Sequence, residues 1–489
     1  MPEAFQTQQG LGWRPVGVLL ALCFLVSLFS ANPALTLASV ALLLVLVKLF
    51  WRPGEPPILL FAMVYHWLQG CLLTLSANLQ NRPLDQLPGS PLHTLGAAWL
   101  TLLGILAVAL GLRVGAGPSR GLLWQAWRDR SETLFSIRRL FLASLFSIVA
   151  SEFLTNFGVL VAGLRQPLLA LANLHWVVVF AFTYIVMARG RGFGLLAVVS
   201  VIELLIGFTG YFSGFKTILL ILALGILTHP KAFRGPRLPV LVGLGVATTL
   251  ALLLWTAIKR EYRAFLNQGS GDQVVLVPME QRVAKLAELS LAMTTEQYAQ
   301  AVEDSADRIT YIKFFAESMG VVPDQIPHEN GLLWWQALVN AVVPRLLNPD
   351  KAILDDSART SYYTGGFVSG VQEGASISLG YIAESYIDLG PVGMVFPLFC
   401  WGWFVGFVYR VMLRSSPNLV FNYGCATALV VVNACFLETS NVKMVGGLLL
   451  GFLVLLLFNR KGAQRLLGWL AARPVATYPS RRSGPVGTA

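Results

Sequence analysis

The sequence KREYRAFLNQ at residues 259–268 opens a long polar segment that continues to Ser376. The segment contains ten lysine or arginine residues and fifteen aspartate or glutamate residues, so its net charge is −5. The rest of the chain carries 26 basic and 10 acidic residues, a net charge of +16. The polar segment and the rest of the chain therefore carry net charges of opposite sign.

The chain on either side of this segment has the composition of a membrane protein. Of 489 residues, 55% are hydrophobic and 12% are charged, and the mean hydropathy is +0.65. Soluble domains carry about 25% charged residues. The apolar runs are too long for barrel strands, and backbone groups in lipid must be hydrogen-bonded internally. We therefore predict an all-α, polytopic bundle of membrane helices.

Twelve apolar runs approach the length of about 17–20 residues that a transmembrane helix needs. They lie at 15–31, 34–50, 58–77, 94–112, 140–161, 168–188, 193–209, 213–229, 239–258, 391–412, 418–437 and 444–458. If these spans alternate in direction, the short loops rich in lysine and arginine fall on one side, which marks that side as cytoplasmic. The prediction is a membrane protein with both termini in the cytoplasm and the acidic segment on the opposite side of the membrane.

This topology divides the chain into four parts. They are an N-terminal membrane bundle of about nine spans (1–258), a large and partly helical non-cytoplasmic loop (259–376), a C-terminal set of about three spans (377–458) and a basic cytoplasmic tail (459–489). We expect the tail to be disordered, since from about residue 471 it has too little apolar surface to fold alone.

Neither a metal site nor a cofactor is expected. The five cysteines lie in apolar runs, and the five histidines are scattered without metal-binding spacing. The basic residues flank membrane spans, which explains the pI of 9.6 without a nucleic-acid partner.

Charged residues near the membrane are costly and therefore informative. Glu203 and Lys216 lie on either side of a tight turn, and we expect them at similar depth, where an ion pair can form. Such a pair would lock two helices together. In the alternative interpretation, Lys216 binds an anionic lipid headgroup.

Arginines on the predicted outer side are candidates for binding a diphosphate, because the guanidinium group holds phosphate oxygens bidentately. Taken singly, each suits a surface ion pair with one of the segment's acids. A group of three or more at the membrane surface indicates an anion site. The candidates are Arg165, Arg260, Arg263, Arg308, Arg345 and Arg359.

Glu384 and Asp388 are four residues apart on one predicted helical face at the start of the tenth span. A carboxylate here would act as a general base on a sugar hydroxyl, cap a helix or pair with Lys443. His328 is an alternative base. Aromatic residues in the segment, Trp334 and Trp335 among them, suit either sugar rings or an interfacial belt, and Gly331 to Leu347 is predicted to be a re-entrant or interfacial helix.

Several local sequences occur in a familiar order. They are Arg308-Ile-Thr-Tyr311, Gly331-Leu-Leu-Trp334, Val343-Pro-Arg345-Leu-Leu-Asn-Pro-Asp-Lys351, Gly380-Tyr-Ile-Ala-Glu384-Ser-Tyr386-Ile-Asp-Leu-Gly390-Pro-Val-Gly393 and the turn Gly210-Tyr-Phe-Ser-Gly-Phe-Lys216. Together with the predicted topology, they resemble the O-antigen and exopolysaccharide repeat-unit polymerases of bacterial inner membranes.

This resemblance implies a metal-independent membrane glycosyltransferase of the bacterial inner membrane, with the acidic segment as a large periplasmic loop. It would transfer a growing glycan from polyprenyl diphosphate to a sugar hydroxyl of another lipid-linked unit, with membrane lipid, a chain-length regulator and export machinery as further partners. The resemblance assigns catalysis to Arg345, Glu384 and Arg308. It assigns binding of diphosphate or glycan to Lys351, and position adds Lys216, Arg260, Arg263, Trp334 and Trp335.

Two alternatives stay open at this point. A ligase of similar architecture would move the finished glycan to another acceptor. A transporter or flippase of lipid-linked oligosaccharide would show pseudo-symmetric halves and charges lining a central path. The sequence shows no internal repeat, and its candidate residues concentrate on one side.

Overall fold

The computed structural model describes residues 25–471 except 26, 53–54, 119–133, 162–163, 212–213, 229–236, 271–274, 299, 302–311, 344–354 and 367–376. Over these residues the protein is all-helical and contains no β-strand. A single bridge joins Phe135 to Ala471.

The helices follow each other along the chain with short connections. The first nine are α1 (Pro33–Phe50), α2 (Ile58–Leu79), α3 (Thr94–Ala116), α4 (Ile137–Leu160), α5 (Arg165–Ala172), α6 (Leu174–Arg189), α7 (Phe193–Thr209), α8 (Phe215–Leu227) and α9 (Arg237–Leu266). They continue as α10 (Met279–Leu291), α11 (Ile312–Val321), α12 (Leu332–Val342), α13 (Asp356–Tyr363), α14 (Tyr381–Gly393), α15 (Val395–Met412), α16 (Leu419–Asn433), α17 (Asn441–Leu457) and α18 (Ala463–Leu470).

Eight helical segments in the described part are long and apolar enough to cross a membrane. They are Pro33–Phe50, Ile58–Leu79, Thr94–Ala116, Ile137–Gly158, Arg165–Arg189, Pro239–Leu266, Val395–Met412 and Asn441–Leu470. Helices α7, α8 and α16 are also apolar but shorter, at 17, 13 and 15 residues. The predicted helical class is confirmed, whereas the count of twelve spans and the position of the polar segment stay predictions.

Helices α3 and α15 form the closest packed pair. Each presents two glycines four residues apart, Gly111 and Gly115 on α3 and Gly402 and Gly406 on α15. A Cβ atom at Gly111 or Gly402 would lie 2.0 or 2.1 Å from a backbone oxygen of the opposite helix. Small residues at this spacing let two membrane helices approach until their backbones touch. The pair therefore forms a rigid centre for the bundle.

The polar segment begins inside α9, which continues eight residues past the predicted end of the bundle at 258. The next helix, α10, ends at Leu291. A new turn begins there because Thr294 and Gln297 hydrogen-bond each other's backbone N–H groups, at 3.3 and 3.0 Å, as a capping box.

The tail prediction was wrong for residues 459–471. The chain continues from α17 through a π-helical turn into α18, and Leu470 is fully buried. Arg139 on α4 donates hydrogen bonds to the carbonyls of Trp469 and Ala471 at 2.8 and 2.7 Å. The leucines of α18 supply an apolar face that composition averaged over the whole tail had concealed. Residues 472–489 lie outside the described part.

Candidate functional site

Four helices converge on a group of buried charges where the polar segment meets the bundle. We call this group the Arg359 cluster. It consists of Gln336 on α12, Asp356 and Arg359 on α13, Glu384 on α14, and Asn441 and Lys443 on α17.

Helix α13 brings Asp356 and Arg359 onto one face, because residues three apart on a helix are neighbours. The preceding residue, Asp355, starts the helix by accepting hydrogen bonds from the backbone N–H groups of Ser357 and Ala358 at 2.9 and 3.3 Å. This N-terminal cap fixes the first turn and with it the direction of both charged side chains.

Glu384 is the innermost charge of the cluster, with 1% of its side chain exposed. One oxygen accepts the backbone N–H of Asn441 at 2.8 Å, at the first residue of α17. The other lies 3.7 Å from Nη1 of Arg359. Burial raises the pKa of the carboxyl from 4.5 to about 7, and Arg359 and the Asn441 N–H oppose that rise. With both oxygens engaged, Glu384 caps a helix and positions an arginine; the geometry does not present it as an open base.

Arg359 is held on two sides. Its Nη2 donates to the side-chain oxygen of Gln336 at 3.3 Å, and Nη1 faces Glu384. That Nη1 is buried and lies beyond hydrogen-bond distance of the carboxylate, so its contact with Glu384 is a buried ion pair. Gln336 and Glu384 together fix the orientation of the guanidinium group, and an oriented guanidinium group with 12% of its side chain exposed is suited to bind a further anion.

The second cation of the cluster is Lys443. Its ammonium group lies 2.8 Å from the Asp356 carboxylate, which also accepts a hydrogen bond from the Ser440 hydroxyl at 3.1 Å. Lys443 therefore pairs with Asp356, whereas the sequence suggested Glu384 or Asp388. The side chains of Arg359 and Lys443 are 12% and 53% exposed, and those of their acidic partners, Glu384 and Asp356, 1% and 4%. Because the cations lie outside the acids, the accessible side of the cluster is positive.

Asp388 has a structural role on the same helix as Glu384. Its two oxygens accept the backbone N–H groups of Gly331, Leu333 and Trp334 at 2.9 to 3.1 Å. These are the unpaired donors at the start of α12, so Asp388 caps that helix. His328 lies beside it and approaches the Ile387 carbonyl at 3.2 Å.

The two tryptophans point to different surroundings. The Trp334 indole N–H donates to the Ser385 hydroxyl at 3.0 Å and joins α12 to α14. Trp335 is 64% exposed. It shares an exposed apolar face of α12 with Leu338 and Val342. The interfacial position of this helix stays a prediction. Trp334 therefore supports the cluster, and Trp335 alone is available to lipid or sugar.

The predicted pair between Glu203 and Lys216 does not form. Glu203 instead lies 3.6 Å from Nε2 of His175. Because α7 ends at Thr209, Glu203 lies about 9 Å inside that helix end, whereas Lys216 is about 1.5 Å from the start of α8. The residues between the two helices lengthen the sequence from Glu203 to Lys216 but do not place Lys216 deeper in its helix. Lys216 is partly exposed and has no ion-pair partner in the described part.

Arg260 and Arg263 share the last turns of α9 but differ in their contacts. Arg260 is exposed. The Nε of Arg263 donates to the Tyr211 carbonyl at 3.1 Å, and its guanidinium lies 5.1 Å from the centre of the Tyr211 ring. Arg263 therefore holds the turn between α7 and α8 against α9. The geometry places neither residue in the Arg359 cluster.

Three predicted site residues, Arg308, Arg345 and Lys351, lie outside the described residues. In the sequence, the stretch that carries Arg345 and Lys351 joins α12 to α13, the two helices that supply Gln336 and Arg359. Arg359 itself was among the outward arginines of the sequence but in none of its motifs. Within the described residues, no group of three or more histidine, cysteine, aspartate or glutamate side chains is placed to hold a metal ion.

Comparison with known proteins shows which family the chain belongs to. Residues 120–439, more than half of the chain, match the family described as "Domain of unknown function (DUF8712)". The chain belongs to this family. The match includes α12, α13 and α14 and ends just before Asn441 and Lys443 on α17. No curated protein and no solved structure matches the chain.

Proposed function

We propose that this protein is a membrane glycosyltransferase that polymerises lipid-linked oligosaccharide repeat units. The growing glycan moves from polyprenyl diphosphate to a sugar hydroxyl of a second lipid-linked unit, at the outer face of the inner membrane. The asymmetry of basic loops supports this orientation, with both termini in the cytoplasm.

The observation that carries the proposal is the Arg359 cluster. Arg359 is oriented by Glu384 and Gln336, and it lies in a cluster whose second cation, Lys443, is half exposed. A diphosphate leaving group needs positive charge that is already in place when the bond breaks. Eight helices long and apolar enough to cross a membrane support access of a lipid substrate to such a site.

The reaction breaks the bond between the anomeric carbon of the donor glycan and the diphosphate oxygen. An acceptor hydroxyl forms the new glycosidic bond to that carbon, and the diphosphate leaves with the electron pair. In our proposal Arg359 and Lys443 neutralise the developing charge, and the departing diphosphate oxygen takes the hydroxyl proton. Glu384 acts through Arg359 as a positioning residue, because its own oxygens are engaged.

The test uses a deletion strain of the source bacterium and the size distribution of its surface or secreted glycan. We expect deletion to collapse the glycan to single repeat units and the intact gene to restore long chains. Arg359→Ala and Arg345→Ala should fail to restore them. Arg138→Ala, an exposed arginine on α4, is the matched control and should restore them fully.

Other outcomes contradict parts of the proposal. Long chains with Arg359→Ala at normal protein levels would remove the cluster from the reaction. Full-length chains retained on the carrier lipid after deletion would indicate a ligase. Repeat units trapped on the cytoplasmic side would indicate a flippase.

A further inference from the structure

A second feature of the bundle lies apart from the Arg359 cluster. A crevice of about 380 Å³ opens between α7, α8 and α9. Its walls are apolar and include Leu204, Phe208, Leu219, Ala247, Ala251 and Tyr298. Leu250 on its rim is 55% exposed, so the crevice opens sideways onto the surface that faces lipid. The volume lies in the range of about 300–1,000 Å³ found for small-molecule sites.

One end of the crevice is marked as the membrane interface. Tyr298, which closes it, belongs to the polar segment. Phe208 stacks on Phe215 at 4.2 Å between ring centres and contacts Trp255 at 6.4 Å. Trp255 in turn contacts Tyr262. Aromatic rings in such a group are typical of the headgroup level of a bilayer.

A cation follows this aromatic group in the sequence. Lys216 comes directly after Phe215, whose ring stacks on the crevice residue Phe208, and it precedes the crevice residue Leu219 by three positions, which places both on one face of α8. Lys216 is partly exposed, and the described residues offer it no ion-pair partner. Its neighbour Arg263 is already bound to the Tyr211 carbonyl. The crevice thus combines an apolar cavity with one uncommitted positive charge at its mouth.

The crevice and the Arg359 cluster are on different helices. Helix α8 packs against α6, α9 and α16, whereas the cluster is built on α12, α13, α14 and α17. Helix α16 lies between the two sets, in contact with both α8 and α17. A ligand in the crevice therefore leaves the cluster free for a second ligand.

We infer that this crevice binds the hydrocarbon tail of an isoprenoid lipid phosphate, with Lys216 on its phosphate. An isoprenoid phosphate has one hydrocarbon chain for the apolar walls and one phosphate for the cation, whereas a diacyl phospholipid has two chains. The choice of an isoprenoid rests on the proposed function, in which donor and acceptor are both carried by such lipids. The structure supplies the tail site and the cation, and with the cluster it provides the two separate sites that this reaction requires.

Binding is tested on the purified full-length protein by native mass spectrometry, with undecaprenyl phosphate as probe. Undecaprenol, which lacks the phosphate, and phosphatidylglycerol, which has two acyl chains, are the comparison lipids. Because the Arg359 cluster would bind the same headgroup, binding is also measured with Arg359→Ala. We expect one bound probe to persist in that variant.

Two changes to the crevice should each weaken this remaining binding by about tenfold or more. Ala251→Phe fills the cavity, and Lys216→Gln removes the charge at its mouth. Leu250→Trp blocks the rim from an exposed position and serves if Ala251→Phe does not fold. Exposed residues on other helices provide matched controls, Val149→Phe on α4 and Lys48→Gln on α1, and should bind as the unaltered protein does.

The inference would be overturned if phosphatidylglycerol bound as well as undecaprenyl phosphate, or if both Leu250→Trp and Lys216→Gln left probe binding unchanged. The crevice would then bind membrane lipid without selectivity. The readout does not depend on glycan synthesis. If the glycan survives deletion of the gene but probe binding still depends on the crevice, the proposed polymerase function is refuted and the lipid site is retained. If deletion abolishes the glycan but probe binding does not depend on the crevice, only the lipid site is refuted.

Discussion

Replacing Glu384 with glutamine should change how the stability of the protein depends on pH. The carboxyl is fully buried in α14, outside the membrane-crossing segments, and burial raises its pKa from 4.5 to about 7. Between these values the folded protein holds a proton that the unfolded chain releases. The free energy of unfolding therefore falls as pH rises through this window, and it levels off above about pH 7.

The size of this effect follows from the two pKa values. Their difference corresponds to about 3 kcal/mol, taken as an upper value. In Glu384→Gln this component is absent, although the amide oxygen still accepts the Asn441 N–H. The free energy of unfolding is measured for both proteins at pH 4.5, 5.5, 6.5 and 7.5. Between the lowest and the highest pH, the unaltered protein should lose up to about 3 kcal/mol of stability relative to Glu384→Gln.

Unfolding in mixed detergent micelles, titrated with a denaturing detergent, gives these free energies. Glu288→Gln is the matched control, because its carboxylate is 64% exposed and pairs with Lys285 at the surface; its profile should follow that of the unaltered protein. Parallel profiles for the unaltered protein and Glu384→Gln, within about 0.5 kcal/mol, would refute the buried carboxyl as the source.

Three further predictions use the same unfolding assay. Gly402→Leu should destabilise the protein by about 1–3 kcal/mol or more, because the added Cβ would lie 2.1 Å from a backbone oxygen. The control Gly243→Ala, with nothing within 4 Å of the added atom, should be neutral or stabilising. Equal changes in stability for the two variants would contradict the close packing of α3 and α15. Trp334→Phe should lose about 0.5–1.5 kcal/mol with its hydrogen bond to Ser385, and an unchanged stability would show that the bond does not contribute. Asp388→Ala should cost about 0.5–2 kcal/mol by uncapping α12, whereas a loss below that range would mean that water replaces the cap.

The helices could be predicted from the sequence because the signal is local. A membrane helix satisfies its own backbone, so an uninterrupted apolar run is sufficient evidence for it. The tail shows the limit of this reasoning, since the leucines of α18 form an ordered face within a stretch whose average composition is polar. Interruptions such as the capping box at Thr294 also change the helix ends without changing the composition.

The site was less predictable because its partners are distant in sequence. Glu384 and Asp388 could be placed on one helical face, and helix capping was among the roles foreseen for them. Arg359 has no motif of its own, and its partners Gln336 and Glu384 come from two other helices. Such contacts depend on tertiary packing, which cannot be predicted from the spacing of residues in the sequence. The resemblance to polymerases directed attention to Arg345, near Arg359 in sequence but outside the described residues.

The glycine contact between α3 and α15 also provides a reference point for the Arg359 cluster. The helix α14 runs into α15 after a break at Gly390, whose φ is 71°, and it packs against both α3 and α15. On α14, Glu384 faces Arg359 on α13, and Asp388 accepts three backbone N–H groups at the start of α12. A displacement of α15 along α3 would therefore be transmitted through α14 to both α12 and α13. The glycine pairs thus set the geometry of the cluster as well as the packing of the bundle.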